Sequence, residues 1–578
     1  MNSTKQKKQS SYQNSRYAII VLISIIALAF VFPIFIINGL WASFDTPFHV
    51  TMIAQFHDAL KNVYFPVVWT QGVANYGLPF GLIAHPMTSY LGGFLTLFSN
   101  NPILSYKILW ALFSLISVFG FYRLLRRFVG VAPAIAGSVL YAFSAYRILN
   151  VYIRGALPEF AAAAFLPFLL YALFDSIQNK NKLSIFVNIT LWFFLILFTH
   201  PMYILFAGLM TFLFLLYFHR NIIIWLTIAS AIALAIGMNA FYLIPLKLEL
   251  KYFYIGQAGN MLVKGSGLTP SQLFIEKWEF TCADGDTEEL RCNRIQTGFP
   301  EIAMFAFGFI FLLFGKKNKN KKTLGYFLAL GSISTFLILQ MAEFLYERIS
   351  LLGSVQFPYR FLNVWLLGPP MILASFLDTI RKYQKVFIVL SIVIIVVLRL
   401  PQVYTKSEYN PTFDRFYHNI DNIHSVMMNT IWMDESKNYP VKNDKIEIIQ
   451  GDGIIKDISI SPTKHEARLA GKEDMIVANY TFFFPGWHAY LDEQEIPIQW
   501  QDPAHRGHIT VNVPQGEHQL RFAFEDTGVR LASKLVSLMS ILFFGFIIYI
   551  YRVKPKWFTK MTTLGGKKIF ESKVTMKI

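Results

Sequence analysis

The sequence predicts an α-helical polytopic membrane protein of about twelve transmembrane helices, carrying a small extracytoplasmic β-sandwich or jelly-roll domain. Three observations predict it. Of 578 residues 54% are hydrophobic and only 15% charged, whereas soluble domains carry about 25% charged residues. Long apolar runs recur along the chain, each near the roughly 20 residues that cross the hydrocarbon core as a helix. Between Lys445 and Glu525 the apolar pattern switches to period two, the signature of half-buried strands. A wholly soluble enzyme is excluded.

The apolar segments fall at about 17–38, 104–122, 129–146, 159–174, 184–199, 201–218, 222–245, 298–314, 323–342, 361–377, 386–402 and 531–551. The first follows Lys5, Lys7, Lys8 and Arg16, but it is longer than a signal-peptide core and no small-residue cleavage site follows, so it reads as a span. Seven short segments (1–16, 123–127, 175–183, 219–220, 315–322, 378–385 and 552–578) hold 26 of the 52 Lys and Arg residues, with Asp175, Asp378 and Glu571 as their only acids. Strict alternation of the twelve spans puts all seven on one side, with both termini in the cytoplasm of a bacterial inner membrane. The net charge of +17 is therefore a topology signal, not a nucleic-acid-binding face.

The opposite side receives a loop at 39–101, a loop at 247–297 and the stretch 403–530, whose β domain spans about 440–528. The organisation is thus a transmembrane region 1–402, the external β region, a last span 531–551 and a basic tail 552–578. The apolar piece 87–98 is too short to span and reads as a juxtamembrane or re-entrant helix. Cys282 and Cys292 share the second loop, so an oxidising exterior favours a disulfide. The acidic run between them lacks a calcium-loop pattern.

An ionisable residue just outside a span, amid aromatics and Pro, calls for an explanation, because irregular backbone at that depth must be buried in protein. The first loop is the densest such place. Asp45 follows the first span, with Pro47 and His49 next, and His49, Gln55 and Asp58 fit one short amphipathic helix. No P-loop, HExxH, GxSxG or dinucleotide-binding glycine motif is present, so nucleotide use and zinc hydrolysis have no support.

At FDTPFH (44–49), FPVVW (65–69) and YGLPFG with HP (76–86) the loop resembles the first external loop of the type C glycosyltransferase superfamily. The likeness continues through IRGALPEFAAAAFLP (153–167), QFPYRFL (356–362), FFPGWHAYLD (483–492) and VPQGEHQLRFAF (513–524). These segments are similar to bacterial YfhO-type multi-span proteins, some of which carry a label borrowed from pyruvoyl-tetrahydropterin synthase. The resemblance implies inverting transfer of a sugar from a polyprenyl-phosphate donor to an envelope glycan, lipid or protein acceptor on the external side. Asp45 matches the family's acidic position and becomes the general base, although a loop-start Asp before Thr-Pro also suits a helix N-cap.

For the donor phosphate, Arg154 and Arg360 stand at predicted external helix ends, with Arg147 as a third choice; interfacial snorkelling explains the same positions. Glu159 either bonds sugar hydroxyls, pairs with Arg154 or supplies a helix N-terminal charge. His49, His85 and His200 are substrate-binding candidates or structural groups, and Trp41, Trp69 and Tyr76 either stack on a sugar or belong to an interfacial belt. No cofactor is assigned, and a divalent cation stays open because members of the superfamily differ. Two other readings compete: a transporter or flippase of lipid-linked saccharides, which should place its polar groups near the midplane in repeated halves, and a noncatalytic envelope assembly factor.

Overall fold

The computed structural model describes residues 2–41, 43–71, 75–179, 181–258, 266–275, 297–315, 320–403, 407–409, 429–433, 439, 442 and 444–553, with backbone only for 2–15, 257–258 and 407–409. Cys282, Cys292 and the acidic run between them lie outside the described residues.

Every predicted apolar segment coincides with helix, as a chain in lipid requires, because helix satisfies each backbone N–H and C=O within the segment. Among the described residues six helices are long and apolar enough to cross a membrane, and two bent pairs qualify if each counts as one span. Arg16–Val31, Tyr203–Phe218 and Phe299–Phe314 are apolar but shorter. The structure therefore shows a largely helical chain with several helices able to cross a membrane, rather than a span count of twelve.

The two bends correct the reading of 129–146 and 222–245 as plain spans. The Ile222–Met238 helix turns by 75° into Ala240–Tyr252. At that break Asn239 Nδ2 donates to the carbonyls of Ala235 and Phe194, and Ser537 Oγ of the last helix accepts the Phe241 N–H at 2.7 Å. Val131–Ala142 bends by 46° into a segment whose end, Leu149–Arg154, is a π-helix. A π-turn carries an extra residue per turn, which redirects side chains and recurs at functional sites.

Gly155 ends that turn at φ +65°. A Cβ there would run into the Thr46 hydroxyl and lie 2.6 Å from Ser43 Oγ. The missing side chain lets the Ser43–Thr46 stretch lie directly on the π-turn, where Phe44 and Asp45 N–H groups donate to the carbonyls of Ile153 and Arg154 at 3.1 and 2.7 Å. Gly155→Ala combines a left-handed backbone with a steric conflict, so it should lower stability by about 1–3 kcal/mol and dislodge Asp45. A melting curve of the purified variant checks the first effect.

With the short Phe80–Ile83 helix between them, the first loop forms two long helices, Thr46–Lys61 and Pro86–Ser99. They cross closely because Gly93 has no side chain: a Cβ there would lie 2.9 Å from the His57 backbone nitrogen. Beside them sit two antiparallel sheets. One runs Gly453–Ser461, Lys464–Gly471, Gly516–Phe524, Trp487–Leu491, Gln494–Ile496, the other Ile446–Gln450, Met475–Phe482, His508–Val513. Their inward residues, among them Leu469, Val477, Val511 and Phe522, share one apolar core with Trp69, Leu78 and Phe80 of the first loop. The β region is thus packed onto the loop that carries Asp45.

Two polar clamps tie the β region to its surroundings. Arg530, at the start of the last helix, donates to Glu249 Oε2 from Nη2 at 2.8 Å and from Nε at 3.1 Å, and to the Pro485 carbonyl of the β region at 2.9 Å. The pair is almost wholly buried, so Glu249→Ala strands a cation and should cost about 3–5 kcal/mol, read as faster proteolysis of the β region. Lys445 donates to the carbonyls of Asn75 and Tyr480. Burial pushes its ammonium down to about 7. Between about pH 7 and the ordinary lysine value of 10.5 the unfolded chain binds this proton and the folded chain does not, so stability rises with pH across that window. Lys445→Met should flatten this slope in melting temperatures taken from pH 7 to 10.

Candidate functional site

Asp45 immediately precedes the Thr46–Lys61 helix, yet its side chain makes no capping hydrogen bond. The helix N-cap role open from sequence is therefore not the one it fills. Its position is set by neighbours: Tyr106 Oη donates to the Gly155 carbonyl at 2.7 Å and lies 2.9 Å from Thr46 Oγ1. Trp41, stacked on Tyr106, donates its indole N–H to the Val151 carbonyl at 2.9 Å. The Asp45 carboxylate stands in a recess, walled by protein while 43% of its side-chain surface stays open. Burial raises its pKa above the ordinary 3.8, with Arg154 and Arg360 opposing the rise and Glu159 adding to it.

Glu159 organises the recess. It is 2% exposed and binds both guanidiniums, Arg154 Nη1 at 2.7 Å and Arg360 Nε at 3.2 Å. Its Oε1 accepts from Tyr146 Oη at 2.6 Å and from Asn363 Nδ2 at 2.9 Å. A buried carboxylate so fully used anchors the arginines, and the pair with Arg154 is one of the roles its sequence position left open. Arg154 Nη1 also donates to Asn150 Oδ1 at 3.0 Å, while its Nη2 faces Asp45 Oδ2 at 3.8 Å, beyond hydrogen-bond length. Arg360 Nη1 donates to the Val355 carbonyl at 3.1 Å. Both cations are thus held rigid by their own partners, and neither is a snorkelling side chain, since Arg154 and Arg360 side chains are only 6% and 12% exposed.

The histidines complete one wall. The rings of His49 and His85 pack at 6.0 Å, and those of His85 and His200 at 4.4 Å. Burial pulls His49 and His85 down to about 3 and His200 well below its ordinary value, so all three are neutral imidazoles near pH 7. Nδ1 of both His85 and His200 is buried without a hydrogen-bond partner among the described residues. Among the described residues no group of three or more His, Cys, Asp or Glu is placed to hold a metal ion.

Seven predicted residues, Asp45, His49, His85, Arg154, Glu159, His200 and Arg360, therefore meet in one place although they come from five separate stretches of chain. Three others lie elsewhere. Arg147 is sunk into the bundle, ringed by Phe30, Tyr141 and Phe160 at 5.4, 4.6 and 4.3 Å, and donates to Ser117 Oγ at 2.7 Å. Trp69 packs between Trp487 and Phe524 of the β region, each at 5.2 Å. Tyr76 stacks on His508 at 4.7 Å. All three are closed off by protein and hold elements together. Sequence reasoning missed Tyr106, Tyr146, Asn150 and Asn363, the polar frame around Asp45 and the arginines; Tyr106, Tyr146 and Asn363 fall inside predicted apolar segments, and Asn150 falls just beyond one.

Residues 85–266 match the sequence model of a family described as a 6-pyruvoyl-tetrahydropterin synthase related domain of membrane proteins, a stretch that holds His85, Arg154, Glu159 and His200. No curated protein matches the chain. Among solved structures it is similar to the arabinofuranosyltransferase AftD from Mycobacteria, with 13% identity, 68% of this chain and 27% of that chain covered, and a TM-score of 0.44. It is also similar to the apo oligosaccharyltransferase of Archaeoglobus fulgidus, with 13% identity, 74% and 61% covered, and a TM-score of 0.39. The chain thus spans less than two thirds of either structure's length. The family match covers less than half of the chain, so it marks residues 85–266 as similar to membrane proteins of that description.

Proposed function

We propose that the chain is a membrane glycosyltransferase that moves a sugar from a polyprenyl-phosphate donor to an envelope acceptor, with inversion, at the membrane face away from its basic segments. In this reaction Asp45 takes the proton of an acceptor hydroxyl as that oxygen attacks the sugar's anomeric carbon. The bond from that carbon to the phosphate oxygen breaks, and the phosphate leaves with the electron pair. Arg154 Nη2 and Arg360 meet the growing negative charge as positioned donors, which need no reorganisation at the moment of transfer. The lipid chain of the donor stays in the bilayer, which accounts for a site at the mouth of a helical bundle.

One observation carries the proposal: an aspartate free of capping duty, open to a recess, stands 3.8 Å from a guanidinium that a buried glutamate holds in place. A transporter reading gains nothing from this arrangement, since the ionisable cluster sits at span ends rather than midway along them. Mass spectrometry of envelope glycoconjugates, comparing cells with and without the gene, tests the proposal. A mass increment absent from the deletion strain and restored by the wild-type gene is expected, and unchanged glycans would overturn it.

A further inference from the structure

The Pro102–Leu125 helix carries Tyr106 at the Asp45 end and delivers Arg126 about 30 Å away, at 1.5 Å per residue. The Leu157–Asp175 helix likewise runs from Glu159 to Asp175, and Asp175 meets Arg127 there at 3.2 Å. At this far end lies an open recess of about 600 Å³ lined by Arg126, Arg127, Phe128, Gly130, Asp378 and Arg381, among others. That volume falls within the roughly 300–1,000 Å³ usual for small-ligand sites.

Its charges do not balance. Arg127 is matched by Asp175, and Asp378 accepts the Gly130 N–H at 2.9 Å. Among the described residues Arg126 and Arg381 have no carboxylate within ion-pair distance. Arg126 is nonetheless held in place, since its Nη1 donates to the Val129 carbonyl. Beside the recess starts the Gln384–Arg399 helix, whose Val386, Phe387 and Val389 are exposed apolar groups suited to lipid. Guanidiniums at a helix end, next to a lipid-facing surface, match the level at which phospholipid headgroups lie.

We propose that this recess binds a phosphate-bearing headgroup of an anionic phospholipid, with Arg126 and Arg381 as the recognising pair. The site is independent of the chemistry at Asp45. Native mass spectrometry of the full chain, released from mixed phosphatidylglycerol and phosphatidylcholine micelles, tests it. Wild type should retain phosphatidylglycerol in preference to phosphatidylcholine, and Arg126→Gln with Arg381→Gln should cut that retention at least fivefold. The paired lysine substitutions should keep part of it, and Lys182→Gln with Arg220→Gln, on other basic loops, should leave it unchanged. Both arginines are exposed, and melting curves of each variant confirm that the fold persists. Competition by inorganic pyrophosphate that depends on the same two arginines would support phosphate recognition, and stoichiometric pyrophosphate binding without retained lipid would reassign the site to a soluble phosphate and overturn the lipid proposal. Equal phosphatidylglycerol retention by wild type and the double glutamine variant, or no preference over phosphatidylcholine, would also overturn it.

Discussion

Asp45→Asn should lower the rate of sugar transfer by about 10²–10⁴-fold, the usual contribution of a positioned general base, while the protein inserts and melts as wild type does. Asparagine keeps the shape and removes the basic oxygen. Because the Asp45 side chain caps no helix and, among the described residues, its only ion-pair contact is 3.8 Å long, little stability depends on its charge. The loss should fall on turnover rather than on donor affinity, as expected for an interaction made only in the transition state. The pH profile offers a second readout. Burial raises this carboxyl above 3.8, so the acid limb of the rate should lie at higher pH than an exposed aspartate gives, and the limb should vanish in the Asn variant. A variant with undiminished transfer would remove Asp45 from the chemistry.

Glu159→Ala should be the most destructive substitution in the recess. It leaves Arg154 and Arg360 buried without their shared carboxylate, strips Tyr146 of its acceptor and leaves Asn363 with the Arg360 carbonyl alone. Removing one partner from a buried ion pair costs about 3–5 kcal/mol, and here two cations lose theirs. Melting temperature and the yield of folded protein read this loss. Glu159→Gln retains acceptor oxygen and volume, so it should fold more nearly as wild type does. Transfer should still fall, because the arginines would lose the anion that orients them. If Gln is as destructive as Ala, charge rather than hydrogen bonding holds the cluster; if Ala melts as wild type, the anchoring role is wrong.

The difference between these two acids shows where sequence reading stops. Asp45 and Glu159 both sit at helix starts, and residue type and spacing alone give either one a capping role. In the folded chain their environments diverge: one carboxylate keeps 43% of its side-chain surface open and the other 2%. The same holds for the arginines. Arg147, Arg154 and Arg360 all fall near predicted span ends, but the π-turn at Leu149–Arg154 rotates Arg154 toward Asp45 and leaves Arg147 among three aromatic rings. A π-turn has no composition of its own, so nothing in the local sequence announces it. By residue type alone Trp69 and Tyr76 suit a sugar platform, an interfacial belt or a core, because aromatic residues serve all three with the same surfaces.

What the sequence determined by itself was the architecture of helices in lipid and a β region outside it. A chain in hydrocarbon must satisfy its backbone locally, and period-two alternation admits little besides strand. Both are short-range requirements, legible in any window of about twenty residues. What the tertiary structure decided was which polar groups meet, since that rests on contacts between residues a hundred or more positions apart, such as Glu159 with Arg360 and Glu249 with Arg530. Pair distances of this kind depend on helix bends, turn geometry and glycine gaps such as Gly155, and these come from packing the whole chain at once rather than from any local preference.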